Sequence, residues 1–343
     1  MDDAGNCNTT ATNLVPLNPH FKGTPWRGYC FLHIIQLSAK VSSLYSFFSP
    51  LLIGPRKIDG TLILHQASDS QEAHVEEVVL DGTPPDQEDA DLALGCYGAA
   101  RNEHDTAVVS KIHIAAIQAM AAQGVTIDSS ESKRGLQLIP RVCGLARKLH
   151  DSVPIASSFA KLVDADKTIV GQTQTLARWC ASRWNSDYDS LDTALILEQP
   201  VRKLLKEKDL NLKAFKLTDA QWNLAADLHD VLECIKEPTL TFSRGRATRP
   251  LISEVIPALE TLRCSLTNAA NSTEISNICR VAAYGGGLVL DKYIDLVPNC
   301  EAYEFSIVLS PNLKLDWFKK HSRSMTQIRR IRETIVARYN KIF

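Results

Sequence analysis

The amino-acid sequence predicts a mainly α-helical protein. Apolar residues recur at steps of three and four along most of the chain, whereas stretches with the alternation of a strand are short and few. The chain has 343 residues, of which 45% are hydrophobic, and this is enough to bury one large core or two smaller ones. The composition is that of a globular protein.

The N-terminal region, residues 1–54, is predicted to hold one short strand and one helix. Residues 28–30 have the character of a strand, and apolar residues at helical spacing follow over residues 29–49 until Pro50 and Gly54 end them. At the start of the chain, Asp2 and Asp3 precede a turn of small residues, where a strand end could hold a divalent metal. A solvated chain terminus explains the same two carboxylates.

Residues 55–110 are predicted to form an acidic flexible linker. Acidic side chains dominate residues 69–105, only Arg101 opposes them, and Gly82, Pro84 and Pro85 interrupt the segment. Blocks of like charge repel one another and do not form a core. An acidic tract can also mimic DNA or bind a basic partner, and that alternative remains open.

Residues 111–318 are predicted to form a helical domain. Helical periodicity recurs over residues 112–120, 142–162, 188–205, 217–235, 251–266 and 275–294. Thr218 and Gln221 form a capping box at the start of the fourth of these helices, Pro238 is expected to end it, and Pro257 is expected to bend the next. The triple glycine at 285–287 lies within a helical pattern, so we expect a kink or break there.

The end of the chain combines a short strand with a basic helix. Residues 305–309 alternate as a strand does before the turn residues 310–312. Residues 319–343 are rich in Lys and Arg, and Ile328, Ile331, Ile335 and Tyr339 follow at helical steps. This predicts a basic amphipathic C-terminal helix.

Charge and cysteine usage restrict the function classes. The formal net charge is −1, so any DNA contact must come from local basic or aromatic patches. Nine cysteines are spread singly, which favours a reducing compartment, and the start of the chain has no signal-peptide pattern. We therefore expect an intracellular protein, nuclear or cytoplasmic, without a membrane partner. A glycine-rich phosphate loop, a nucleophile elbow, CxxC and HExxH are all missing from the sequence.

Two short motifs carry candidate binding residues. Cys30 and His33 have a spacing that offers two zinc ligands, but a structural zinc site needs four, so a buried thiol and a hydrogen-bonded imidazole are the simpler interpretation. Arg183 and Trp184 stand side by side before a helix, where Arg can bind phosphate and an indole can stack on an unpaired base. The local alternative is a helix start capped by residue 185 or 186, with Trp184 as a core anchor.

Taken in order, these motifs resemble those of the hAT superfamily of cut-and-paste DNA transposases. Residues 2–6, DDAGN, resemble the family's DNAxN segment, and residues 27–40 are similar to RxRCxxHxxNLxxK. Residues 182–191 resemble TRWNSxYxxL, and residues 307–318 resemble AxxLDPRxKLxWF. The resemblance spans nearly the entire chain, and its departures from the family residues include Asp3, Gln36, Ser310 and Asn312.

The resemblance implies both a fold and a set of site residues. It implies an all-helical insertion domain with a partial RNase H-like α/β remnant at the N-terminus. Asp2 matches the second carboxylate of a DDE active site, which in the family binds a divalent metal, Mg²⁺ or Mn²⁺. Arg183 and Trp184 match residues that handle the flipped base and hairpin at the transposon end, and Cys30 and His33 complete the DNA-binding candidates.

The resemblance also implies which activity to expect. The family's other two catalytic carboxylates would lie before residue 1 and after residue 343, and one carboxylate cannot assemble a two-metal site. We therefore expect an internal transposase fragment that does not cut or join DNA, binds no metal of its own, and keeps affinity for transposon-end DNA through Arg183, Trp184 and the basic helix. The alternative is a domesticated or decayed derivative that acts as a scaffold for protein partners or self-association.

Overall fold

The computed structural model describes residues 5–17, 23, 28, 30–43, 96–169, 173–179, 184–243, 251–297 and 300–342. Within these ranges the protein is mainly α-helical, as the sequence predicts, and contains no strand. Gly28 and Cys30 have no regular structure, so the expected N-terminal strand is absent at both positions. None of the described helices is both long and apolar enough to cross a membrane.

Thirteen α-helices are present in the described residues. They are α1 (Gly5–Leu14), α2 (Phe31–Ser42), α3 (Cys96–Ala122), α4 (Ser129–Asp151), α5 (Val153–Asp164), α6 (Asn185–Ile196), α7 (Glu198–Leu204), α8 (Asp219–Ser243), α9 (Val255–Asn271), α10 (Asn277–Leu296), α11 (Glu301–Leu309), α12 (Lys314–Lys320) and α13 (Met325–Ile342). Short 3-10 turns lie at Lys167–Ile169, Lys208–Leu210, Lys213–Phe215 and Leu251–Glu254. Because α3 begins at Cys96, the end of the predicted 55–110 linker is helical; residues 55–95 lie outside the described ranges.

The chain divides into two compact units. The first consists of Met1–Ile35, Pro238–Ser265 and Val289–Phe343, and the second of Gln36–Glu237 and Leu266–Leu288. Each unit combines segments that are distant in the sequence, which a division into consecutive domains does not describe.

The second unit is organised around α4, which contacts α5, α6 and the 3-10 turn Lys213–Phe215. The buried face of α4 presents Leu138, Ile139, Val142, Leu145 and Leu149 at steps of one, three and four. The helix starts at a capping box: Oδ1 of Asp128 accepts from the Glu131 amide at 2.7 Å, and the Asp128 amide donates to Oε2 of Glu131 at 3.2 Å.

Prolines divide two of the predicted helices. The predicted helix 142–162 is two helices, α4 and α5, because Ser152 is extended and a proline occupies the first turn of α5. The predicted helix 188–205 breaks at Leu197, and Pro200 in the first turn of α7 has no amide to bond to residue 196.

The fourth predicted helix is correct at its start and wrong at its end. In α8 the amide of Gln221 donates to Oγ1 of Thr218 at 3.3 Å and the amide of Thr218 donates to Oε1 of Gln221 at 3.1 Å, which confirms the capping box. The helix continues through Pro238 to Ser243. Burial beyond the proline offsets the lost hydrogen bond, since the ring of Phe242 lies 3.9 Å from that of Phe31.

The triple glycine at 285–287 does not break its helix, because α10 is continuous from Asn277 to Leu296. In the second unit, Gly286 instead forms a seam with α2, defined by Gly286, Ser38 and Ser42. The hydroxyl of Ser38 donates to the carbonyl of Gly286 at 3.1 Å. A Cβ at position 286 would overlap Oγ of Ser42 and lie 3.2 Å from Cδ1 of Leu266. The missing side chain therefore permits the close packing of two helices.

In the first unit, the predicted strand 305–309 is wrong, because these residues form α11. Alternation over five residues is too short to separate a strand from a helix, and burial of Tyr303, Glu304 and Ile307 at helical spacing decides the outcome. The predicted amphipathic helix is confirmed as α13, in which Ile328 and Ile331 are buried. This helix contacts α12, and α12 contacts α11.

Candidate functional site

The candidate site is the start of α6 in the second unit, where the transposase-like signature lies. Trp184 occupies the position before the first helical residue with helical backbone angles (φ −57°, ψ −32°), and its side chain makes no capping hydrogen bond. The expected cap by residue 185 or 186 is therefore wrong, since both residues are already within the helix. The Trp184 side chain is half-buried, so it is not a full core anchor.

Asp187, in the first turn of α6, accepts hydrogen bonds from two other segments of the second unit. Its Oδ1 accepts from the indole Nε1 of Trp179 at 2.7 Å, and its Oδ2 accepts from the hydroxyl of Ser43 at 2.8 Å. Burial raises the pKa of the Asp187 carboxyl above its usual range, and the two hydrogen bonds partly oppose that shift. The carboxylate joins Trp179, the end of α2 and the start of α6.

Tyr188, the next signature residue, belongs to the core. Its ring stacks on His229 of α8, with ring centroids 4.7 Å apart, and Nζ of Lys236 lies 3.9 Å from the ring centroid. Burial and then the carboxylate of Asp192 raise the pKa of the Tyr188 phenol to about 12. Leu191, the last signature residue, is fully buried. The Tyr and Leu of the signature are thus structural, whereas Trp184 keeps part of its surface exposed.

His229 is also the centre of the one group in the described residues with three potential metal ligands. Ligand atoms of His229, Asp230 and Glu233 lie within 4.8 Å of one another. Nε2 of His229 lies 3.2 Å from Oδ1 of Asp192, and Nδ1 lies 3.4 Å from Oδ1 of Asp230. Both ring nitrogens therefore have carboxylate neighbours.

The His229 group does not fit the three-carboxylate metal site that the family resemblance implies. It contains a histidine, and its three ligands come from a single helix turn. The sequence does carry a signal for this group, since His229, Asp230 and Glu233 follow at steps of one and three on α8 and are neighbours on its surface.

Cys30 and His33 lie in the first unit at the start of α2. The carbonyl of Cys30 accepts from the amide of Ile34 at 3.1 Å, so Cys30 takes part in the first helical turn. Its thiol is half-buried, and His33 is 7% exposed. Neither residue belongs to a group of three potential metal ligands within the described ranges.

The remaining predicted site residues, Asp2 and Arg183, lie outside the described residues. The structure thus places Trp184, Cys30 and His33. Of these, Trp184 is half-buried and keeps part of its surface exposed. Comparisons with known proteins found no matching family model, no similar curated protein and no similar solved structure.

Proposed function

We propose that this chain is a fragment related to hAT-type transposases that binds transposon-end DNA through Trp184 and Arg183 and does not cut or join it. The observation that carries the proposal is the exposed part of the Trp184 side chain beside the buried Tyr188 and Leu191 of the same signature. An indole at such a position can replace the stacking that a base loses when it leaves the duplex. The order of four family-like motifs along the chain supports the same function.

The surroundings of Trp184 suit a fixed stacking surface. Asp187, three residues away, is hydrogen-bonded to Trp179 and Ser43, so the first turn of α6 is held from two sides. A preorganised aromatic side chain loses little conformational freedom on binding. In this proposal Arg183 supplies the contact to a phosphate flanking the unpaired base.

Full-length protein should bind a hairpin-tipped duplex and a duplex with one unpaired base more tightly than a fully paired duplex of the same length. Trp184→Ala should weaken binding to the first two DNAs by about 5- to 150-fold, since stacking on one base is worth about 1–3 kcal/mol. Fluorescence anisotropy with end-labelled DNA measures both effects.

Trp184→Phe is the matched control, because it keeps an aromatic face and most of the buried volume. It should retain most of the binding, and the melting temperatures of both variants show whether the fold persists. Equal binding of all three duplexes, or full binding by a folded Trp184→Ala protein, would contradict the proposal. Capture of a protein partner without any DNA binding would favour the scaffold alternative instead.

The proposed absence of catalysis has its own test. The family's Mg²⁺ or Mn²⁺ would supply the activated nucleophile and leaving-group stabilisation for strand transfer, and the matching residue here is Asp2. We expect purified protein with either ion to leave supercoiled plasmid carrying a transposon end intact. Metal-dependent nicking that is lost in Asp2→Ala would contradict this expectation and show that the chain is an enzyme.

A further inference from the structure

A strong local excess of positive charge lies at the end of the first unit. Residues 314–342 contain nine Lys and Arg residues and two acidic ones, although the whole chain has a net charge of −1. The excess is confined to α12, α13 and the turn between them. Such an asymmetry is typical of a surface that meets a polyanion.

Four of these cations are already neutralised within the unit, one of them Lys319, which pairs with Asp316 of the same helix at 2.8 Å. Arg323, Arg330 and Arg338 pair with Glu260, Glu304 and Glu301 at 2.8, 2.7 and 2.9 Å. These ion pairs tie α13 and the turn before it to α9 and α11. The paired arginines therefore anchor the helix.

The remaining cations face solvent. Lys314, Lys320, Arg329, Arg332 and Lys341 are exposed, and within the described part of the chain none has a carboxylate at ion-pair distance, 4.0 Å or less. Arg329 and Arg332 stand one turn apart on α13, so their side chains are neighbours on the helix surface.

The same face of α13 also exposes apolar side chains. Met325, Arg329, Arg332, Val336 and Tyr339 follow at alternating steps of four and three, which aligns them along one stripe of the helix. Met325, Val336 and Tyr339 are 67%, 48% and 62% exposed. Tyr339 lies two turns beyond Arg332, about 10 Å along the helix axis. We call these five residues the α13 stripe.

We propose that the α13 stripe binds single-stranded nucleic acid. The guanidinium groups of Arg329 and Arg332 contact phosphates, and the exposed ring of Tyr339 stacks on a base, with Met325 and Val336 against neighbouring base faces. A second copy of the chain fits poorly, because packing two stripes together would oppose arginine with arginine. The stripe lies in the first unit and Trp184 in the second, so the inference does not depend on the proposed transposase function.

The test measures binding of full-length protein to a fluorescein-labelled oligothymidine, which has no hairpin or paired end, over a series of salt concentrations. Replacing both arginines (Arg329→Gln with Arg332→Gln) should weaken binding and reduce the slope of log K against log salt by about 1.4, because each phosphate contact on a single strand contributes about 0.7. Tyr339→Ala should weaken binding by about 5- to 150-fold and leave the slope unchanged, since stacking releases no counterion.

A matched control removes two exposed lysines of the second unit, Lys111→Gln with Lys133→Gln, and should leave both affinity and slope unchanged. Repeating both sets of α13-stripe substitutions in a Trp184→Ala background, where each loss should have the same size, separates this surface from the proposed hairpin site. The inference is overturned if the arginine variant keeps its salt slope, if the lysine control loses as much, or if Tyr339→Ala binds normally. Displacement of the oligonucleotide by poly-glutamate, charge for charge, would assign the stripe to an acidic protein partner instead.

Discussion

The close packing of α2 and α10 at the seam predicts opposite effects of alanine at Gly286 and at Gly287 on the free energy of unfolding. Alanine in place of glycine within a helix stabilises it by about 1 kcal/mol when the new methyl group meets nothing. Gly287 is such a position, because a Cβ there has no neighbour within 4 Å. At Gly286 the Cβ would overlap Oγ of Ser42, a side chain that is itself fully buried.

The magnitudes decide the sign at Gly286. Overpacking of a tight helix contact costs about 1–3 kcal/mol, and loss of the Ser38 hydroxyl bond to the Gly286 carbonyl costs about 1 kcal/mol more. These losses exceed the gain in helix propensity, so Gly286→Ala should destabilise the protein by about 1–3 kcal/mol. Gly287→Ala should stabilise it by up to about 1 kcal/mol.

Urea unfolding followed by circular dichroism gives both free energies from their midpoints. The double variant Gly286→Ala with Ser42→Ala removes the overlapping oxygen and should recover most of the loss. Gly286→Ala as stable as Gly287→Ala would refute the close approach of the two helices. Failure of the double variant to recover would show that Ser42 is not the obstacle.

Two further predictions concern ionisable side chains. Because burial raises the pKa of Asp187 in the folded state above the unfolded value of about 3.9, the folded state binds the proton more tightly, and stability should fall as the pH rises from about 4 through the raised pKa. Asp187→Asn should flatten that part of the stability profile measured by urea unfolding at several pH values; an unchanged profile would show that the carboxyl is not buried. In native protein, brief alkylation at neutral pH should modify the exposed Cys264 and spare Cys279, whose thiol is fully buried with a raised pKa, and mass spectrometry would reveal a different order if the packing around α10 were looser.

Helical periodicity predicted most of the described fold, because helices need only local spacing. The predicted helix ends were wrong at two prolines, one that divides a predicted helix and one that a helix continues through. Pro200 divides a predicted helix because it lies in the first turn of α7, whereas Pro238 is carried through α8 by packing farther along the chain. No local rule distinguishes these cases, since the deciding contact, Phe242 with Phe31, joins residues more than two hundred positions apart.

The candidate site was predictable as a motif and not as a geometry. The order of the motifs predicted Trp184 as a site residue. The hydrogen bonds of Asp187 to Trp179 and Ser43 could not be predicted, because no repeating sequence pattern relates these three positions. The basic helix α13 was predictable as a whole. Which of its arginines are neutralised could not be predicted, because their partners Glu301 and Glu304 precede the predicted strand 305–309 and had no predicted structure, whereas the structure places both on α11.

The bond from the Trp179 indole to Asp187 also provides a natural spectroscopic reporter. An indole N–H at 2.7 Å from a carboxylate oxygen should resonate downfield of solvent-exposed indoles and exchange slowly with water. In a 15N–1H correlation spectrum of the labelled protein, the cross-peak of this indole would report on the start of α6 without an added probe. A change in the chemical shift of that peak on adding DNA would indicate binding near Trp184. An unchanged chemical shift would favour binding at the α13 stripe.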